Sequence, residues 1–136
     1  MRVTFMAPMF ALLSVPANSQ EPPDYLAFQE QVDRFAFAVV SARSCEHFGY
    51  RSDEQELRDK GRQLIGEAVL AGMPAGNANL IVTGALNSEG EREADRAKEM
   101  EARKSDPAAL DQFLDYWERR CDTLGSDPAY APYFRR

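Results

Sequence analysis

Apolar side chains recur along this chain at three- and four-residue steps, the spacing that gives an α-helix one buried face. Tyr25, Phe28, Val32, Phe35, Ala36 and Val39 form the first such face, while Glu30, Asp33 and Arg34 point away from it. Asp24 is placed to cap this helix, and Gly49 to end it. Ser52-Asp53-Glu54-Gln55 has the pattern of a capping box, in which Ser52 reaches forward and Gln55 reaches back. The helix it opens carries Leu57, Leu64, Ile65, Ala68 and Val69 on one side, and Gly72 stops it. Residues 73–77, Met-Pro-Ala-Gly-Asn, then turn the chain, with Pro74 suited to a first helical position. Leu80, Ile81, Val82, Ala85 and Leu86 predict a short third helix.

Residues 87–91, Asn-Ser-Glu-Gly-Glu, contain a second capping pattern, Ser88 to Glu91, and a weak helix former, Gly90. They predict a break. The stretch 91–104 after it is nearly all charge and alanine, and Glu93/Arg96 and Glu99/Arg103 are helix-compatible ion pairs. Asp106-Pro107 is a cap followed by proline, a strong helix start. Leu110, Leu114, Trp117 and Cys121 make the stripe of the last long helix, Phe113 lies beside it, and Gly125 stops it. Asp127-Pro128 opens a final turn. No run alternates in the period-two manner of a β-strand, and no segment repeats. The expected architecture is all-α, a compact bundle of four or five helices.

The first twenty residues differ from the rest. Arg2 is their one charge, an apolar run extends from Val3 to Val15, and Ala17 and Ser19 are small residues before a cut preceding Gln20. That is the layout of a secretory signal peptide. It is too short for a bilayer span, which needs about 20 apolar residues. The chain thus divides into a leader, 1–19, and a single helical domain, 20–136, with no membrane span once the leader is removed. Export brings oxidising conditions, so the two cysteines, Cys45 and Cys121, are expected to pair. There is no Asn-x-Ser/Thr sequon, which fits a bacterial periplasm.

The bridge constrains topology. Both cysteines fall near the C-terminal ends of their helices, and a disulfide needs Cα atoms within about 7 Å. In a plain up-down bundle the first and fourth helices end at opposite poles. A reversal at 87–90 makes Leu110–Cys121 a fifth helix and brings the two ends together. A longer crossover is the other solution.

Composition adds limits on function. Charged residues are 28% and hydrophobic residues 44% of the 136, as in a globular domain. The net charge is -6, and removing residues 1–19 takes away Arg2 and makes it -7. Such a charge repels nucleic acid and anionic lipid.

Candidate chemistry is sparse. His47 is the only histidine. Cys45-x-His47 has no third ligand near it, and a histidine at a helix end interacts with terminal carbonyls. No G-x-S-x-G elbow, C-x-x-C-H haem motif or phosphate loop is present, and Gly72–Asn77 reads as a connector. Asp111, Asp115, Glu118 and Asp122 line one helix face, the pattern of a solvated surface. No cofactor or metal is implied. Phe37 falls on the polar side of the first helix, and the tail Tyr130, Tyr133, Phe134, Arg135 and Arg136 mixes aromatics with arginines. Both compositions suit a protein contact. The first functional expectation is therefore a non-enzymatic exported module that binds another exported protein, such as an inhibitor, an immunity-type protein or an assembly accessory. The second is a bundle that carries a small apolar ligand between Phe28, Phe35, Phe113 and Trp117. An exported product that begins at Gln20 and shows no reactive thiol in denaturant until it is reduced is the expected outcome of N-terminal sequencing and thiol labelling.

Overall fold

The computed structural model describes residues 22–136. The expected leader, 1–19, and the start of the domain, 20–21, lie outside the described residues. Four helices follow one another: α1 (Tyr25–Glu46), α2 (Glu54–Leu70), α3 (Ala75–Ala102) and α4 (Pro107–Ser126), then a short 3-10 turn, Ala131–Tyr133. There is no β-strand among the described residues, and the bundle is all-α as the apolar spacing predicts.

Local chemistry sets most of the helix ends. Asp24 Oδ1 accepts from the Ala27 amide at 2.9 Å and opens α1. Asp106 Oδ1 accepts from the Ala108 amide at 3.1 Å and opens α4, with Pro107 in its first turn. Gly49 and Gly72 adopt φ of 83° and 99°, which let the chain leave α1 and α2 in a left-handed turn closed to most side chains. One cap differs from expectation. Asp53, not Ser52, opens α2, because the Asp53 backbone is extended and its Oδ1 accepts from both the Gln55 and Glu56 amides.

The core gathers around α1. Phe28, Val32, Phe35, Ala36, Ala38, Ala42 and Cys45 are all buried, and they cover more than one face of the helix. Leu57, Leu64 and Ala68 of α2, Ala78, Val82 and Ala85 of α3, and Trp117, Cys121 and Leu124 of α4 complete the cluster. Gly61 lets α2 approach α1 closely: a Cβ there would lie 2.7 Å from the Phe35 ring.

The predicted break at 87–90 is absent. α3 runs unbroken through Gly90 for 28 residues, about 42 Å at 1.5 Å per residue. Gly90 costs a helix interior only about 1 kcal/mol. Glu89 and Glu93 on either side of it are anchored by Arg120 of α4, at 2.6 and 2.5 Å. Those ion pairs hold the segment helical, and the Ser88–Glu91 capping pattern goes unused. Among the described residues the bundle has four helices, not five.

The disulfide Cys45–Cys121 is formed nonetheless, with Cα atoms 5.5 Å apart. The reason lies in how far α3 overshoots. α3 runs alongside α1, starting at the contact of Asn77 with the Tyr25 hydroxyl, and continues past the end of α1. α4 therefore starts beyond α1 and comes back down it. Arg120 meets Ser41, and Asp127 meets Arg34, so α1 and α4 are antiparallel. Cys121 passes Cys45 on the way and is not at the terminus of α4. An antiparallel bundle accommodates the bridge with neither an extra reversal nor a crossover.

Two leucines near the start of α4 are exposed. Leu110 and Leu114 belong to the predicted stripe of α4, yet both are about two-fifths exposed, and Leu114 lines an open depression with Val40 and Ser44 of α1. Two stability measurements probe this architecture. Gly90→Ala raises stability by about 0.5–1 kcal/mol in urea titration, since no atom lies within 4 Å of the added Cβ and the site is helical; a turn at 87–90 would not gain. Replacing both cysteines by alanine costs about 4 kcal/mol for a closed loop of this size, a sequence separation of 76.

Candidate functional site

The most concentrated chemistry in the described residues is a buried ion network around Arg120. This side chain is 3% exposed, at the junction of α1, α3 and α4. Its Nε donates to the Ser41 hydroxyl, and its Nη2 donates to Glu89 Oε1 at 2.6 Å and to the Phe37 carbonyl at 3.3 Å. Its Nη1 donates to Glu93 Oε1 at 2.5 Å and to the Tyr116 hydroxyl at 2.7 Å. Ser41 in turn donates to the Phe37 carbonyl. The guanidinium plane is also covered by rings, with Phe37 at 3.8 Å and Trp117 at 5.0 Å from Cζ to centroid.

Two further arginines close the network from outside. Arg92 Nη2 reaches Glu89 Oε2 at 2.5 Å, and Arg96 Nε lies 3.3 Å from Glu93 Oε1 while its guanidinium stacks on Tyr116. Burial alone raises the Glu89 carboxyl, and the hydrogen bonds from Arg92 and Arg120 outweigh it, holding it below the ordinary carboxylate value. Glu89 is thus a permanent anion at neutral pH, saturated by two cations. A carboxylate so held is a poor general base. Its chemistry is attachment of α4 to α3.

The remaining sequence candidates separate. Phe37 is half-buried under the Arg120 guanidinium. Tyr130 and Phe134 are buried in the core, and burial pushes the Tyr130 hydroxyl up to about 12. Tyr133 is half-buried, and Arg135 and Arg136 are exposed. The tail folds back to the α1–α2 connection, where Arg51 and Arg135 exchange both backbone hydrogen bonds, at 2.6 and 3.0 Å. Arg136 pairs with Asp122 and lies 4.5 Å above the Tyr50 ring. Arg135 reaches Glu56 at 3.7 Å. His47 stands exposed at the end of α1. Of the acidic row, Asp111, Asp115 and Glu118 face solvent, and Asp122 accepts from the Tyr50 hydroxyl at 2.6 Å. No group of three or more His, Cys, Asp or Glu side chains suited to a metal ion occurs among the described residues.

Phe28 and Phe35 are buried in the core, and Phe35 also lines a depression of about 340 Å³ with Val39 and Ala42 of α1, Leu57 of α2 and Leu86 of α3. Phe113 and Trp117 line a depression of about 300 Å³ where α1, α3 and α4 meet, beside the upper end of α1.

A second feature lies at the opposite end. Seven large apolar side chains are exposed among the described residues, and five of them, Tyr25, Leu26, Val69, Leu70 and Leu80, belong to one pole. Leu70 is 88% exposed, and Leu26 and Leu80 are each 73% exposed. This pole holds the start of α1, the end of α2 and the start of α3. α4 does not cover it, because Asp127 already meets Arg34 midway along α1. From Ala68 to Ser88 there is no charged residue at all. That uncharged run was the readable signal for the pole. Residues 80–86 register as a core stripe, although Leu80 is on the solvent side of it.

No protein-family model, curated protein or solved structure matches the chain. The described residues contain no helix long and apolar enough to cross a membrane. That fact and the disulfide are compatible with an exported protein.

Arg120→Met leaves Glu89 and Glu93 without their inner partner and destabilises by about 3–5 kcal/mol, whereas adding Glu89→Leu and Glu93→Leu recovers most of the loss. Recovery in urea titration identifies the network as structural. Its pH dependence has a definite sign. The Glu89 carboxyl, and the Asp127 carboxyl held down by its hydrogen bond from Arg34, both sit below their ordinary values in the folded state. Their contribution is present above the unfolded-state carboxylate range and is lost as pH falls through the depressed folded values. Glu89→Gln, followed by chemical denaturation from neutral to acid pH, flattens that acid limb.

Proposed function

We propose that this protein is a non-enzymatic exported binding module that docks an apolar surface of another exported protein onto its uncharged pole. The observation that carries this reading is the concentration of exposed Leu26, Val69, Leu70 and Leu80 at the one end that α4 leaves uncovered. Monomeric proteins seldom cluster large apolar side chains in solvent unless something covers them. The chemistry of the partner follows from the 21 uncharged residues between Glu67 and Glu89. The α2–α3 side of the pole carries no charge and the Asp24 carboxylate stands at the start of α1, so the complementary surface is apolar and uncharged at its centre, with charge met at the rim.

Export is part of the same reading. The leader layout of residues 1–19 and a bridge that persists only outside a reducing compartment both support it, and the absence of a sequon fits a periplasm. The rigidity of the frame supports it as well. A binding surface gains when its backbone is already ordered, and the Cys45–Cys121 bridge and the Arg120 network order three helices behind the pole. The tail residues singled out by composition play a smaller part here, since Tyr130 and Phe134 are spent in the core.

The experiment compares capture from the native compartment by the mature protein and by a Leu70→Glu/Leu80→Glu variant. The expected result is a stoichiometric exported partner held by the first and released by the second, with Leu110→Glu at the far end of the molecule retaining it. Each buried Leu contact is worth about 1.5–3 kcal/mol, so the double variant weakens binding at least a hundredfold. A partner held equally by all three proteins overturns the assignment of the pole, and self-association of the purified mature protein, lost in the same variant, replaces the partner by a second copy.

A further inference from the structure

Phe35, Val39 and Arg43 follow one another at four-residue steps along α1, so one face of that helix passes from the core to a cation. Beside them, Glu54, Leu57 and Arg58 share a face at the start of α2. Leu86 of α3 closes the third side. The depression between them, of about 340 Å³, is roughly twice the void of about 150 Å³ that holds a benzene ring.

Its floor is apolar and held in place. Phe35, Ala42 and Leu57 are all buried. The Phe35 ring is set against α2 at Gly61, where a Cβ would lie 2.7 Å from it. Cys45, one turn beyond Ala42, is tied to α4 by the disulfide. A floor that is already ordered costs a ligand little on binding.

The rim selects the ligand. Arg43, Glu54 and Arg58 complete the lining, and all three are exposed. Glu54 and Arg58 face each other at 3.7 Å. Arg43 takes no part in the ion pairs among the described residues. The α3 wall falls within the uncharged run 68–88 and brings no carboxylate to meet it. Acidic groups elsewhere on the molecule are screened over about 8 Å in physiological salt. The rim therefore carries two cations against one anion, and one guanidinium stands unpaired. An apolar hollow with such a rim suits a molecule that has a hydrocarbon body and one carboxylate, which the planar fork of an arginine accepts through two parallel N–H donors.

We infer that the depression between α1, α2 and α3 binds a small apolar monocarboxylate, with its hydrocarbon part on Phe35, Val39 and Leu57 and its carboxylate on Arg43. The site uses no residue of the docking pole, so the two proposals stand or fall separately.

The test follows the backbone amides of the isotope-labelled mature protein by two-dimensional NMR during titration with 3-phenylpropionate and, separately, with 3-phenylpropan-1-ol, its uncharged counterpart. The expected result is saturable shifts centred on Val39, Ala42, Leu57 and Leu86 with both compounds. The carboxylate binds about fivefold more tightly, as an exposed ion pair provides, and that preference fades in high salt. Arg43→Gln, at an exposed position, is expected to make the two affinities equal. Absence of saturable shifts at these residues overturns the site, as do shifts centred on Leu26, Leu70 and Leu80 instead. Equal affinity of the two compounds for the unaltered protein overturns the ligand class, and a preference kept by Arg43→Gln overturns the role of Arg43.

Discussion

Arg120 is a full positive charge removed from water at the meeting point of three helices, and the arrangement of the bundle follows from where that charge can be satisfied. Its fork of N–H donors needs two carboxylates on one neighbour and a hydroxyl and a carbonyl on another. Glu89 and Glu93 supply the first from α3, and Ser41 and Phe37 supply the second from α1. The observed placement of α4 meets both demands. The next residue along α4, Cys121, is then beside Cys45, and the disulfide locks covalently what the ion network has already set. Removing a single partner from such a network leaves a buried charge stranded, which is why its members depend on one another.

That placement has consequences at both ends of the molecule. Because Glu89 and Glu93 must share one face of one helix, α3 stays unbroken and extends past α1. α4 starts from that overhang, leaves Leu110 and Leu114 partly exposed, and runs out before the lower pole. The upper end acquires a depression walled by Phe113 and Trp117. The lower end keeps three helix termini, no charge between residues 68 and 88, and several leucines in solvent.

The tail divides between core and surface. Tyr130 and Phe134 complete the core, Tyr133 is half-buried, and Arg135 and Arg136 stay exposed, with Arg136 over Tyr50. Phe37 lies half-buried on the side of α1 that receives Arg120. Gly125 makes the return of the chain possible, since a Cβ there would lie 2.6 Å from the Tyr50 ring.

The order of helical segments, the caps at Asp24 and Asp106, the stops at Gly49 and Gly72, and the pairing of two cysteines were determined by the sequence itself, because each rests on interactions within a few residues or on a count of two. The continuity of α3 through Gly90, the side of α4 that turns inward, and the burial of the tail were decided by tertiary structure. The physical reason is common to all three. A local preference of about 1 kcal/mol at Gly90, or the apolarity of one leucine, is small beside a buried guanidinium that must find its carboxylates. Those partners lie 27 and 31 residues away along the chain, where no local pattern reaches.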